Sequence, residues 1–532
     1  MLLLLKVLRR MLGLSSKDKK LRQKPHFSWC TKGESTLSHS LRDNMAFLQK
    51  SFQGCSDIVF REFGIGNGRG PKGAVIFFEG LVDKKIINDN VLKPLMYLTS
   101  LDGKMPDRVD AALIRQLNIS VAEVREVKYR DEVIDAVLDG KAAVLIDRST
   151  MALVLSIPGW ERRKVEEPTS EKVIRGPREG FTETLSVNVA LIRRRIKDTR
   201  LKIKTLSLGT RSKTRVALFY MEDVIKKEIL EEIEKRLSTV DFDMVEEVGT
   251  IEEFIEDNPY SPFPQVMITE RPDKVVSNIA EGRACIMIDC SPFAMVMPIT
   301  LASLYQSPED YYERPLYGTA VRILRFAAFF IATSLPALYV AMVSFHHELI
   351  PSRLVLTLAR GRVEVPFPAF LEALLMELTI EFIREASTRL PGVLSQTVGV
   401  VGGLVLGTAA VQANLVSPAM VIVVSLTAIT TFTVPIYSLS YPIRIIRFPL
   451  MFLAASFGLF GLAFGWNIIL IHLCTLESFG IPYLSPYAPL KIRDMKDAIL
   501  RFPLWAMKKR PKVPHAQDET RLGNLKGDHK RD

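Results

Sequence analysis

One long, nearly charge-free stretch restricts this chain more than any other feature. Residues 326–490 hold 14 charged side chains in 165 positions, and none of them is Lys or Asp. The remaining 367 residues carry the other 115 charges. A water-soluble domain of ordinary composition does not thin its charge over so long a run. Within it, residues 326–345 are uncharged, long enough to cross ~30 Å of hydrocarbon, with Pro336 expected to kink them. Residues 390–443 are also uncharged, enough for two spans, with Ser417-Pro418 after Asn414 the expected turn. Residues 448–476 are uncharged apart from the nominally neutral His472 and give another span. The expected architecture is α/β plus helical membrane. A basic arm covers 1–44, a first α/β module 45–160, a linker 161–179, a second module 180–315, a membrane domain of four or five helices 316–490, and a basic tail 491–532.

The charged part repeats itself. "LDGKAAVLIDRSTMALVL" (138–155) aligns without a gap on "AEGRACIMIDCSPFAMVM" (280–297), which places Asp147 on Asp289 and Gly140 on Gly282. Each copy reads as a Gly turn, an apolar β-branched run, an Asp and a second apolar run, the pattern of strand, turn and strand. Similar strand-like runs precede both, at Ala74 and Arg215. Two tandem, duplicated cytoplasmic α/β modules account for this. The opening "MLLLLKVLRR" has a five-residue apolar run with its basic residues after it, the reverse of a secretory signal. Arg322, Arg325 and the tail, with 12 Lys and Arg against six Asp and Glu, place both termini in the cytoplasm and require an even number of spans. Arg444 and Arg447 sit awkwardly with that topology.

Several chemistries find no support. "FGIGNGRGP" (63–71) lacks the G-x-G-x-x-G spacing of a dinucleotide loop. His346, His347 and Glu348 lack the i, i+4 spacing of a zinc-peptidase helix and read as a polar cap at a membrane edge. The five Cys offer no metal-ligand spacing and read as reduced thiols. With no nucleophile, base and orienter to combine, the residues point away from an enzyme, a cofactor or a metal. A secondary transporter would show about ten spans with repeated membrane halves.

Two patterns in the apolar region carry a physical signal. Gly399, Gly403 and Gly407, and again Gly461 and Gly465, recur at four-residue spacing, which lets helix backbones approach closely in lipid. "EALLMELTIEFIREASTRLP" (372–391) places Glu372, Glu377, Glu381 and Glu385 on a helix otherwise lined by Leu and Phe. Carboxylates facing lipid are costly. The helix is therefore either a surface-lying amphipathic helix with a wet acidic face, or a pore-lining or gating helix whose carboxylates form rings in an oligomer. The residues alone leave both open.

Ordered matches along most of the chain then resemble the A-subunits of spore germinant receptors, the GerA type. They include "GPREGFTETLSVNVALIRRRI" (176–196), "YSPFPQVMITERPDKVV" (260–276), "QSPEDYYERP" (306–315), "FIREASTRLPGVLSQTVGVVGGLVLGTAAVQANLVSP" (382–418) and "SFGIPYLSPYAPL" (478–490). The family motif falls on Pro262, Phe263, Pro264, Gln265, Arg271, Pro272 and Asp273. The resemblance implies a protein of the spore inner membrane working with a B-type transporter-like subunit that binds the nutrient and a C-type lipoprotein. It further implies a ring oligomer, a pentamer by the family's pattern, that conducts cations when nutrient binds. A non-conducting scaffold, or an A-like component of the dipicolinate release machinery, are the alternatives it leaves.

Overall fold

The computed structural model describes residues 35–66, 70–97, 121, 123–159, 167–168, 171–389, 407–507, 509–513 and 516–521. The first module opens with helix α1 (Leu41–Ser51), which starts because Ser40 accepts from the Asp43 N–H and because Leu41, Met45 and Leu48 share one buried face. This places residues 41–44 inside the module; the expected arm, 1–44, is too long at its C-terminal end. Strands β1 (Ile58–Gly64), β2 (Lys72–Phe78), β3 (Val124–Val127), β4 (Ala142–Ile146) and β5 (Ala152–Leu155) form one sheet in the order β1-β2-β4-β5-β3, with α2 (Arg130–Leu138) packed on it.

The second module uses the same order of parts. Helix α3 (Leu185–Arg195) precedes a sheet of β6 (Leu201–Leu208), β7 (Thr214–Met221), β8 (Met267–Thr269), β9 (Ala284–Ile288) and β10 (Ala294–Met297), ordered β6-β7-β9-β10-β8. Helices α4 (Lys227–Ser238), α5 (Val248–Ile255) and α6 (Pro272–Ala280) accompany it. In α4 the buried Ile229, Ile233 and Leu237 recur every four residues, and Arg236 pairs Glu232 on the outer face. The repeat's two Asp residues do the same task. Asp147 accepts from the Leu41 N–H at 3.2 Å and Asp289 from the Leu185 N–H at 3.0 Å, so each satisfies an orphan donor at the start of its module's first helix. The residues after them, Arg148 and Cys290, are both left-handed, at φ 66° and 69°.

The modules are joined by a buried fork. Arg193 of α3 donates to both Asp57 oxygens at 2.8 and 2.9 Å and to the Leu201 carbonyl at 3.0 Å, and stacks over Phe78.

The apolar part begins with α7 (Pro315–Ser344), continues through α8 (Ser352–Arg360), α9 (Ala369–Arg389) and α10 (Pro418–Thr431), and ends in α11 (Tyr437–Thr475). Two of these, α7 and α11, are long and apolar enough to cross a membrane. Pro336 is tolerated inside α7. Ser417 caps α10, so the turn expected at Ser417-Pro418 is present.

The span expected over 448–476 is instead broken in two. Gly458 has φ +59° and ψ −140° inside α11, a conformation that suits Gly alone. Around it the chain reverses. Arg447 donates to the Ala332 carbonyl while Trp466 donates to Ser334, two positions only two residues apart on α7. In one straight helix Arg447 and Trp466 would lie ~28 Å apart. The two arms, before and after Gly458, therefore form an antiparallel hairpin. The run offered no charged residue to mark its tip.

Along α7 the molecule has two ends. At the tip, His346 packs against Gly458. At the base, the chain leaving α11 returns to the second module through the short ladder of β11 (Glu477–Ser478) and β12 (Ile481–Pro482). The described residues of the tail pack on the second module. Val513 enters the second module's core, Asp494 accepts from the Lys512 and Val513 N–H groups, and Gln517 N–H donates to the Val224 carbonyl.

Candidate functional site: an acidic helix and the joint beneath it

The acidic side of α9 faces the chain's own bundle. Glu372 is fully buried and accepts from the backbone N–H and the hydroxyl of Ser417, with Arg362 at 3.7 Å. Glu377, also buried, is paired with Arg447, whose other nitrogens donate to the Ala332 carbonyl and to Thr431 at 3.0 Å. Glu381 takes a forked contact from Arg444 and a longer one, 3.6 Å, from Arg384. Glu385 is exposed and bonded by Arg389 on its own helix at 2.6 Å. The carboxylates therefore form a ladder that ties α9 to α10 and to the first arm of α11. The opposite side of α9 presents Leu371, Leu375, Leu378 and Phe382, spaced four, three and four apart and exposed.

Each pairing makes a charge bearable where a lone one would not be. Arg444 and Arg447, which looked out of place beside a positive-inside topology, are the counter-charges. They lie 63 and 70 residues from their partners, so no local pattern announces them.

Of the glycines singled out, Gly399 and Gly403 lie outside the described residues. Gly407 begins the short helix Gly407–Gln412, and a Cβ there would meet Val421. Gly461 and Gly465 lie between the arms of the hairpin. A Cβ on Gly461 would strike the Leu453 carbonyl oxygen, and one on Gly465 would come 2.6 Å from the Leu450 side chain.

The family motif builds the joint at the base. Ser261 shares a 2.9 Å hydrogen bond with His472 in the last turn of α11, and Phe263 stacks between His472 and Tyr483. Pro262 and Pro264 flank Phe263 in this tight segment. Gln265 is fully buried; its side chain bonds both backbone groups of Asn258, and its carbonyl accepts from Ser478, whose hydroxyl in turn accepts from the Ile299 N–H. Arg271 donates to Asp273 and to the carbonyls of Glu171 and Pro177, while Pro272 starts α6. Asp273 also accepts from the Tyr312 hydroxyl at 2.7 Å, and burial with that bond pushes the Tyr312 phenol well above its ordinary range. Residues 171–177, expected as linker, are thus held in place. Beneath α7, Asp310 accepts from Arg322 and Arg325 at 2.9 Å, and Arg322 also reaches Asp497 of the tail. Sequence reading missed this clamp; "PEDYYERP" marked the region without showing which charge turns inward.

Among the described residues, no group of three or more His, Cys, Asp or Glu side chains is placed to hold a metal. The described Cys55, Cys285, Cys290 and Cys474 are free thiols.

Comparison with known proteins identifies the family. The family model for the Bacillus/Clostridium GerA spore germination protein matches residues 46–513. The uncharacterized membrane protein YfkQ of Bacillus subtilis (strain 168) is 45% identical over 89% of this chain and 91% of its own. The spore germination protein GerLA of Bacillus cereus is 41% identical over 91% of this chain and 97% of its own. A solved structure, the N-terminal domain of the A subunit of the Bacillus megaterium spore germinant receptor GerK3, is 30% identical, covers 50% of this chain and 96% of its own, and superposes with a TM-score of 0.40. With 468 of 532 residues matched by the family model, the chain belongs to the GerA family of spore germination proteins.

Proposed function

We propose that this chain is the A-type membrane subunit of a nutrient germinant receptor and forms, as a ring of copies with B-type and C-type partners, a nutrient-gated cation channel of the spore inner membrane. It belongs to a family of spore germination proteins not known as enzymes. The membrane part is polytopic in this reading, with both termini cytoplasmic and two duplicated α/β modules below. The single observation that carries the mechanism is the ladder of α9. One side of the helix is fixed to its own bundle by Glu372, Glu377 and Glu381, and the other offers an apolar stripe to whatever stands next to it. A helix engaged on two sides is suited to switching. Moving it exchanges buried ion pairs, so its positions are discrete, and a nutrient-bound partner biases them only by binding one more tightly.

In this reading Glu377 and Glu381 act on the gate, and Glu385, exposed, is the carboxylate placed to meet ions. Replacing Glu377, Glu381 and Glu385 together by Gln leaves Arg444 and Arg447 without counter-charge. It is expected to change conductance of the reconstituted receptor and nutrient-triggered ion release from spores. Normal assembly with unchanged conductance and gating would count against the channel reading. The complete pairing of the ladder within one chain favours a second reading, a non-conducting scaffold for the B-type subunit. That reading expects no current from any reconstituted combination of subunits.

A further inference from the structure

The joint beneath α7 holds more positive charge than it can neutralise. Arg283, Arg322 and Arg501 are each more than nine-tenths buried. Each has one guanidinium nitrogen with no hydrogen-bond partner among the described residues: Nε of Arg283, Nη2 of Arg322 and Nε of Arg501. Arg322 and Arg501 gather about Tyr311, with Arg283 beside Asn278 on the neighbouring wall. The guanidinium carbon of Arg322 lies 5.2 Å and that of Arg501 5.7 Å from the Tyr311 ring centre, Arg501 donates to the Tyr311 carbonyl at 3.2 Å, and Arg283 bonds Asn278, which shares a pocket wall with Tyr311. The other nitrogens are used. Arg322 bonds Asp310 and Asp497, Arg283 bonds Asn278, and Arg501 bonds the Phe502 carbonyl.

The local charges do not balance. Arg283, Arg322, Arg325, Arg501 and Arg521 face three carboxylates, Glu281, Asp310 and Asp497, which leaves two positive charges in excess. The surrounding pairs, Lys274–Glu171, Arg271–Asp273 and Arg510–Asp518, are each balanced. Burial works against both charged forms, drawing the Arg283 guanidinium below its ordinary range and pushing the Glu281 carboxyl above its own. A buried cation without a counter-charge costs several kcal/mol, so proteins rarely keep one unless something anionic joins it. A pocket of about 190 Å³ adjoins the cluster through Tyr311, Glu281 and Arg521, with Ser307 and Leu504 on its wall. Leu316, Leu504 and Trp505 are exposed at the same level, at the foot of α7.

We infer that this joint is a binding site for a phosphate-type oxyanion, held by Arg283, Arg322 and Arg501 where α7 meets the second module and the tail. Guanidinium forks match phosphate oxygens in geometry and charge. Two sources present that group here: the headgroup of an anionic phospholipid, with its chains along Leu316, Leu504 and Trp505, or free phosphate entering by the pocket.

Full-length protein in nanodiscs separates these. Phosphatidylcholine discs are compared with discs containing three parts phosphatidylglycerol in ten, and inorganic phosphate is titrated into the phosphatidylcholine discs, with the thermal unfolding midpoint as readout. A ligand that binds only the folded state raises that midpoint. A rise of several degrees with phosphatidylglycerol alone assigns the site to lipid; a rise with inorganic phosphate assigns it to the free ion. Arg283→Gln with Arg501→Gln is expected to abolish the shift, whereas Arg211→Gln, at an exposed position, retains it. Should the double variant not fold, the milder Arg501→Lys is expected to reduce the shift at least by half. No shift with either source in the folded wild type, or an undiminished shift in the variants, overturns the proposal.

Discussion

At the scale of single residues, much of the charge in this protein is turned inward and matched. The Asp57–Arg193 fork is the firmest example, since both partners are buried and the pair itself crosses between the two modules. Removing one partner strands the other, so Arg193→Ala is expected to destabilise the folded protein by about 3–5 kcal/mol. A denaturant titration showing a loss under 1 kcal/mol would contradict it. Glu252 of α5 makes the opposite case. Burial, and then the neighbouring Glu256 carboxyl, push it up to about 8. A carboxyl whose folded value lies above its unfolded value near ~4.5 binds its proton more tightly when folded. Its contribution to stability is therefore present below the unfolded value and is lost as pH rises towards about 8. Glu252→Gln is expected to remove that decline, so that the variant exceeds wild type in unfolding midpoint at pH 8 and matches it at pH 5. Equal differences at both pH values would refute the assignment. These residues also show the reach of sequence reading. Asp147 and Asp289 were legible as an equivalent pair because the repeat aligned them. Their task, capping a helix over 100 residues away, was not, because nothing local encodes the partner. The Glu row of α9 was visible as a row, while its partners Arg444 and Arg447 read as a topological nuisance until folding brought them together.

At the scale of elements, strands and the start of α10 were legible because their signals are local: β-branched runs, Gly turns and a Ser-Pro cap. The hairpin of α11 was not. Uncharged residues continue through its tip, and Gly458, where the chain turns, is one glycine among several in that helix. Gly461 and Gly465 were recognised as small residues for close packing, but the partner turned out to be the preceding arm. This gives a geometric test. Cysteines in place of Leu450 and Gly465, in a background with native cysteines replaced by Ser, are expected to cross-link under mild oxidation. In a continuous helix those positions stand ~22 Å apart, far beyond disulfide reach, so a chain that stays uncross-linked while both thiols are accessible excludes the hairpin. Gly461→Leu is expected to prevent the arms from closing, because even a single added carbon would strike the Leu453 carbonyl.

At the scale of the whole molecule, the family motif, the foot of α7 and the tail are parts of one joint. Ser261 and Phe263 hold the end of α11, Asp273 holds Tyr312, and Asp310 with Asp497 holds Arg322. A displacement of α7 or α11 therefore reaches the second module along two short routes, from both ends of the bundle's chain path. Asp310 is the most connected member, buried and accepting from two guanidiniums at once. Asp310→Asn keeps the shape and removes the charge. The change leaves Arg325 without an acidic partner and Arg322 with Asp497 alone, a loss of the kind that costs about 3–5 kcal/mol where burial is complete. Because the first module shares none of these contacts, the loss should be local. Amide hydrogen exchange is expected to rise at least ~10-fold over residues 301–312 and 494–502. Exchange in β2 and β4 of the first module should stay as in wild type. Uniform acceleration across both modules would show that Asp310 supports global folding instead of the joint. Unchanged exchange in the tail would show that the clamp does not hold it.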